Sequence, residues 1–176
     1  MSERLTRSEI IRLLELLDEE LGADGTEGEV YLVGGAVMCL AFEARAATRD
    51  VDAFFRPTRQ VRQAARRVAA RAGIPADWLN DAVKGFLGPH GDFDPWLELD
   101  HLRVFIARPE YLLAMKCASM RLGREFKDLD DIRFLLRYLN ITNVEDALAI
   151  VTRYFEESQL PAKTRLALEE LLRPVA

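Results

Sequence analysis

Apolar residues recur every three or four positions near the start of the chain, at Ile10, Leu13, Leu14, Leu17 and Leu21. That spacing predicts an amphipathic helix over Leu5–Leu21, with Thr6 or Ser8 as its cap and Gly22 as its end. After a loop over 22–28, the apolar run Val30–Val33 predicts a strand that enters Gly34-Gly35, and Ala36–Ala44 predicts a helix. A second apolar strand carries TRDVDAFF, residues 48–55. Pro57-Thr58 breaks it and opens an arginine-rich helix that stops at Gly73. Residues 75–88 predict a short helix, and 88–95 are Gly, Pro and Asp punctuation. The alternation in WLELDHLRVFIA, residues 96–107, predicts one or two more strands of the same sheet. From Pro109 onward the pattern is helical, over 109–122, 128–139, 143–156 and 161–173, with Pro109 in a first turn and Asn143 and Pro161 at later starts. The expectation is an α/β (α+β) chain. A small mixed sheet with an N-terminal helix occupies residues 1–107, and a helical part packs on it over 108–176.

With 176 residues, 49% hydrophobic and 30% charged, the chain is ordinary for a globular protein. Its longest near-apolar stretch, Val30–Phe42, is too short to span a bilayer, so no membrane partner and a cytoplasmic location are expected. Cys39 and Cys117 stand alone in apolar helical patterns and read as core thiols. His90 and His101 lack a ligand-spaced partner, which removes support for zinc. The net charge of −5 argues against a generally basic coat. Yet Arg59, Arg62, Arg66, Arg67 and Arg71 crowd one helix, and spacings of three and four align the first three. They are a solvated helix face or a stripe that tracks a phosphate backbone.

The chemistry concentrates around Gly34-Gly35 and Asp50-Val-Asp52. In a strand, side chains alternate, so Asp50 and Asp52 point the same way. Adjacent carboxylates repel unless a cation sits between them, and the hard cation shared by carboxylates and phosphates is Mg²⁺. A Gly-Gly turn admits close approach of backbone to a phosphate, and the following helix offers free N–H groups. Together these residues read as a metal–triphosphate site.

This arrangement resembles the nucleotidyltransferase superfamily of the DNA polymerase β type, which shares a Gly-Gly or Gly-Ser turn followed by Asp-x-Asp. It is most similar to the small bacterial nucleotidyltransferases of toxin–antitoxin and abortive-infection systems, the AbiEii and MenT-like group. Arg45-Ala-Ala-Thr48-Arg49-Asp50-Val-Asp52 resembles that group's Arg-x-x-Thr-x-Asp-x-Asp. PEYLLAMKCASMR (109–121) and KDLDDIRFLL (127–136) resemble its lysine helix and acidic helix. The likeness covers about residues 30 to 140. It implies a polymerase β type sheet with a C-terminal helical bundle. The implied activity is Mg²⁺-dependent transfer of a nucleoside monophosphate from a nucleoside triphosphate to an acceptor hydroxyl. Asp50 and Asp52 would be the metal ligands, and Gly34, Gly35, Thr48 and Arg49 would lie at the nucleotide. For this group the acceptor is the tRNA 3′ end, and the enzyme is a toxin held by a cognate antitoxin. The alternatives are transfer to a small molecule such as an aminoglycoside, transfer to a protein, or a non-catalytic nucleotide-binding module.

Lys116 is the single charge between Tyr111 and Met120. It snorkels to water, or it aims at the triphosphate as the resembled lysine does. On the second reading, its removal is expected to leave stability level or raised. Asp128 and Asp131 lie on one helix edge. They are a cap and a first-turn carboxylate, or partners that orient Lys116 or the attacking hydroxyl. Arg45 contacts a phosphate or a surface acid. One departure from the superfamily is the lack of a clear third carboxylate strand. Glu98 and Asp100 share a face if WLELD is a strand, and are either that ligand or an exposed edge.

Overall fold

In the computed structural model, which describes residues 4–81, 91–120 and 128–174, Thr6 and Glu9 start the first helix. The Thr6 hydroxyl accepts from the Glu9 amide at 3.4 Å, and the Thr6 amide donates to Glu9 Oε2 at 2.7 Å, closing a capping box. Helix α1 (Arg7–Ala23) buries Ile10, Leu13, Leu14, Leu17 and Leu21. It runs through Gly22, the expected end, and is capped at Asp24. Gly22 has a packing role instead: a Cβ there would lie 2.5 Å from the His101 ring. The His101 amide also donates to Asp18 Oδ1 at 2.7 Å, which locks α1 to the sheet at this point.

Two compact units divide the described residues, 4–81 with 93–107 and 91–92 with 108–174. Among those residues the architecture is mixed α and β, with seven α-helices and a mixed sheet. In the first unit, the short strands β1 (Leu5–Thr6) and β3 (Ala47–Thr48) pair antiparallel. The main sheet holds β2 (Gly28–Leu32), β4 (Val51–Arg56), β5 (Leu79–Asn80), β6 (Phe93–Glu98) and β7 (Leu102–Ala107), in the order β5-β4-β2-β7-β6. β2 runs antiparallel to β4 and parallel to β7, while β5 runs parallel to β4. Val30, Leu32, Val51, Ala53, Phe55, Leu102 and Val104 are buried, on the side covered by α1 and by α3 (Thr58–Ala72). A Cβ on Gly28 would strike Leu21 from α1 at 2.8 Å. The opposite face carries Glu29, Tyr31, Asp52, Phe54, Arg56, Arg103 and Phe105 by strand alternation. There Tyr31 stacks on Phe105 at 4.6 Å, and Glu29 pairs with Arg56 and Arg103.

Two expectations change here. Residues 75–81 form no helix: a turn leads into β5, and the Val51 amide donates to the Trp78 carbonyl at 2.7 Å. Pairing with β4 overrides local helical preference; residues 82–88 of the expected helix lie outside the described residues. The punctuation over 88–95 gives way to strand at Phe93, and Pro95 is tolerated because β6 is an edge strand with an irregular register between Pro95 and Leu97. The 96–107 pattern is the two-stranded hairpin β6–β7.

The second unit contains α4 (Pro109–Ala118), α5 (Asp128–Tyr138), α6 (Val144–Val151) and α7 (Ala162–Leu171). Tyr111, Leu112, Leu113, Ile132, Leu135, Leu136, Val151 and Leu168 form its core. Pro109 sits in the first turn of α4, and Asn143 caps α6 by accepting from the Asp146 amide at 2.9 Å. α6 stops before the expected residue 156, where the Thr152 hydroxyl donates to the Leu148 carbonyl at 2.8 Å and the chain turns. The buried Thr164 hydroxyl donates to the Cys117 carbonyl at 2.8 Å, tying α7 to α4. No helix among the described residues is long and apolar enough to cross a membrane.

Candidate functional site

Helix α2 (Gly34–Leu40) begins with the two glycines themselves, so they form its first turn and do not precede it as a loop. It ends four residues before the expected Ala44, where Glu43 takes a left-handed φ of 50°. Gly34 has φ +64°, and a Cβ on it would sit 3.2 Å from Asp52 Oδ2. A Cβ on Gly35 would sit 2.7 Å from both Thr48 Oγ1 and Arg45 Nη1. Small residues are therefore what let the backbone, Asp52, Thr48 and Arg45 crowd together. The Val33 amide donates to the Asp52 carbonyl at 3.0 Å, and the buried Thr48 hydroxyl donates to the Asp50 carbonyl at 3.2 Å. Gly34, Gly35, Arg45, Thr48, Asp50 and Asp52 are thus one cluster at one end of β2 and β4.

Asp50 corrects one premise. It lies at a bend before β4, so strand alternation does not set its direction. Asn80 does: its Nδ2 donates to Asp50 Oδ2 at 3.3 Å, while the residue stands opposite Asp52 in the parallel β4–β5 ladder. Sequence reasoning missed Asn80, because a strand of two residues has no periodicity to read. Glu98 and Asp100 are exposed and stand apart from this cluster. Glu98 is opposite Arg103 on edge strand β6, and β7 and β2 separate that strand from β4. Neither residue is placed to serve as a third ligand beside Asp52.

Arg49 is exposed and, with Asp50, lines a cavity of about 440 Å³ between the start of α1 and residues 72–78. The arginine stripe is partly neutralised. Arg62 pairs with Asp81, Arg67 with Glu20 and Asp24, and Arg71 with Glu19 and Glu20. The Arg67 hydrogen bond holds the Glu20 carboxyl below its ordinary range. Among the described residues, Arg59 and Arg66 carry no ion pair.

In the second unit, Lys116 does not snorkel. It is 7% exposed, and its Nζ lies 2.7 Å from Asp131 Oδ2 and 3.2 Å from Asp128 Oδ1. Both aspartates are 3% exposed. The spacing of the two carboxylates on α5 lets both meet one ammonium. Asp130 points away and pairs with Arg133 at 3.8 Å.

The described residues contain no group of three or more His, Cys, Asp or Glu side chains able to hold a metal ion. Asp50 and Asp52 with an amide alongside are nonetheless a donor set suited to Mg²⁺, which keeps waters and takes one or two carboxylates plus substrate phosphates. They are unsuited to a closed zinc cage. No known protein family, curated protein or solved structure matches the chain.

Proposed function

We propose that this chain is a Mg²⁺-dependent nucleotidyltransferase of the polymerase β type, moving a nucleoside monophosphate from a nucleoside triphosphate to an acceptor hydroxyl. The observation that carries the reading is the contact of Asp52 with the Gly34 turn, beside an Asp50 held by Asn80. A carboxylate set against a glycine turn, with a second one two residues away held by an amide, suits metal and phosphate chemistry.

The bond from the acceptor oxygen to the α-phosphorus forms as the bond from that phosphorus to the pyrophosphate oxygen breaks, and pyrophosphate leaves. Asp50 and Asp52 would hold Mg²⁺, which when bound supplies charge neutralisation on the triphosphate and acidity to the attacking hydroxyl. Asp50 takes the hydroxyl proton and passes it to water. By the resemblance, Gly34, Gly35 and Thr48 would lie at the triphosphate. The resemblance alone brings in Lys116: its counterpart there adds positive charge toward the triphosphate, and here Asp128 and Asp131 hold its ammonium in place.

The resemblance also supports the tRNA 3′ end as acceptor and a toxin role checked by a cognate antitoxin. A second reading, transfer to a small molecule, gains from the ion pairs of Arg62, Arg67 and Arg71, which reduce the free basic surface that an RNA acceptor would use. The test is transfer of label from α-labelled nucleoside triphosphates with Mg²⁺, using a tRNA pool and an aminoglycoside panel as acceptors. Label in tRNA supports the first reading and label in the drugs supports the second. Label in neither acceptor, nor in protein, contradicts both.

A further inference from the structure

The two carboxylates of the candidate site face different spaces. Asp52 lies against Gly34, whereas Asp50 forms part of the wall of the 440 Å³ cavity, which Asp52, Gly34 and Gly35 do not line. In-line phosphoryl transfer puts the attacking oxygen and the leaving pyrophosphate on opposite sides of the phosphorus. A triphosphate on the glycine side therefore leaves the Asp50 side for the acceptor. The cavity volume falls within the range of about 300–1,000 Å³ typical of small-ligand pockets, enough for one nucleotide unit and too small for a folded stem.

Its walls are divided by chemistry. Ile74 and Pro75 present apolar surface, with the buried Leu13 and Trp78 behind them, and Trp78 is fixed because its indole N–H donates to the Ala65 carbonyl at 2.9 Å. Arg12 and Arg49 are exposed on it and carry no ion pair among the described residues. Arg56, Arg62, Arg67, Arg71 and Arg103 of the same unit pair with acids, whereas Arg59 and Arg66 on α3 also carry no ion pair among the described residues. Unpaired guanidinium groups beside an apolar wall suit a phosphate joined to a flat ring. Three acids share the wall, Glu9, Asp50 and the exposed Asp77; Glu9 is engaged by Thr6, which holds its carboxyl below the ordinary range.

We infer that this cavity receives the acceptor as a nucleotide unit, with its ring on the apolar wall, its phosphate toward Arg12 and Arg49, and its 3′-hydroxyl toward Asp50. This rests on the nucleotidyl-transfer reading and assigns its acceptor side. The same chemistry is offered by an RNA 3′ end and by a free mononucleotide.

The test is equilibrium binding, without triphosphate, of a 5′-labelled short oligoribonucleotide with a free 3′-hydroxyl, and of a mononucleotide. It compares wild type with Ile74→Trp, which fills the cavity, and Arg12→Gln, an exposed change that the fold tolerates. Each variant weakens binding about tenfold or more, a loss of about 1.4 kcal/mol, while calorimetric affinity for a nucleoside triphosphate holds. Loss seen with the oligonucleotide alone makes the ligand an RNA end, and loss with both probes makes it the nucleotide unit itself. Wild-type affinity for both probes in both variants, or no binding by wild type, overturns the pocket and leaves the reaction to its own assay. A wild type that transfers nothing yet shows this binding pattern overturns the reaction and supports the pocket.

Discussion

Gly34 and Asp52 are in near contact: a methyl group on Gly34 would lie 3.2 Å from the Asp52 carboxylate, and Gly34 itself has φ +64°. The glycine is required twice, for its left-handed backbone and for the space it leaves.

Gly34→Ala accordingly costs about 1–2 kcal/mol from backbone strain alone. In a chain of this size that lowers the melting temperature by roughly 2–8 °C. Gly35→Ala forces Thr48 and Arg45 away from 2.7 Å contacts and lowers it as well. Differential scanning calorimetry checks both, and a melting temperature unchanged in either contradicts the packing described.

Lys116→Met leaves Asp128 and Asp131 buried side by side without their cation. The expectation from sequence, of level or raised stability, reverses: removing one partner of a buried charge network costs about 3–5 kcal/mol. Adding Asp128→Asn and Asp131→Asn to that variant recovers much of the loss. Urea denaturation of the single and triple variants decides, and a single variant as stable as wild type refutes the pairing.

Glu20 binds Arg67 and Arg71, and its carboxyl is held below its ordinary value of 4.5 chiefly by the Arg67 hydrogen bond. A depressed carboxylate contributes stability that is fully present above its unfolded pKa and is lost as pH falls through its folded pKa. Arg67→Gln therefore destabilises at neutral pH, and the difference from wild type shrinks as pH falls below 4.5. Urea midpoints across that range check it; a constant difference contradicts the linkage.

Cys39 and Cys117 are both buried, and burial pushes the Cys117 thiol up to about 12. Neither reacts with an aromatic disulfide reagent in the folded protein at neutral pH, and both react after denaturation. Rapid labelling of the native chain would contradict their place in the core.

The long amphipathic patterns were readable because each helix shows its buried face in its own spacing. α1 buries the residues its periodicity marks, and α3 stops at Gly73 as its pattern indicates. The Gly34-Gly35 and Asp50-Val-Asp52 motifs were readable as composition, yet their mutual contact is made across strands. What stayed hidden is nonlocal. Asn80 acquires its role by pairing with Asp52, and Arg67 and Arg71 lose their apparent freedom to acids on α1. Lys116 looked like an isolated charge because its two partners come from a different helix. Gly22 looked like a stop signal because His101, which needs its space, comes from the distant hairpin.

The central claim is that Asp52, beside Gly34, and Asp50 together perform metal-dependent nucleotide transfer. Asp52→Asn tests it most directly, since it keeps the shape of the side chain and removes its charge. Incubated with α-labelled nucleoside triphosphates, Mg²⁺ and a tRNA pool, the wild type transfers label. The variant, with the melting profile of wild type, loses at least about a thousandfold of that activity, a barrier increase of roughly 4 kcal/mol. Equal transfer by the folded variant would contradict the account.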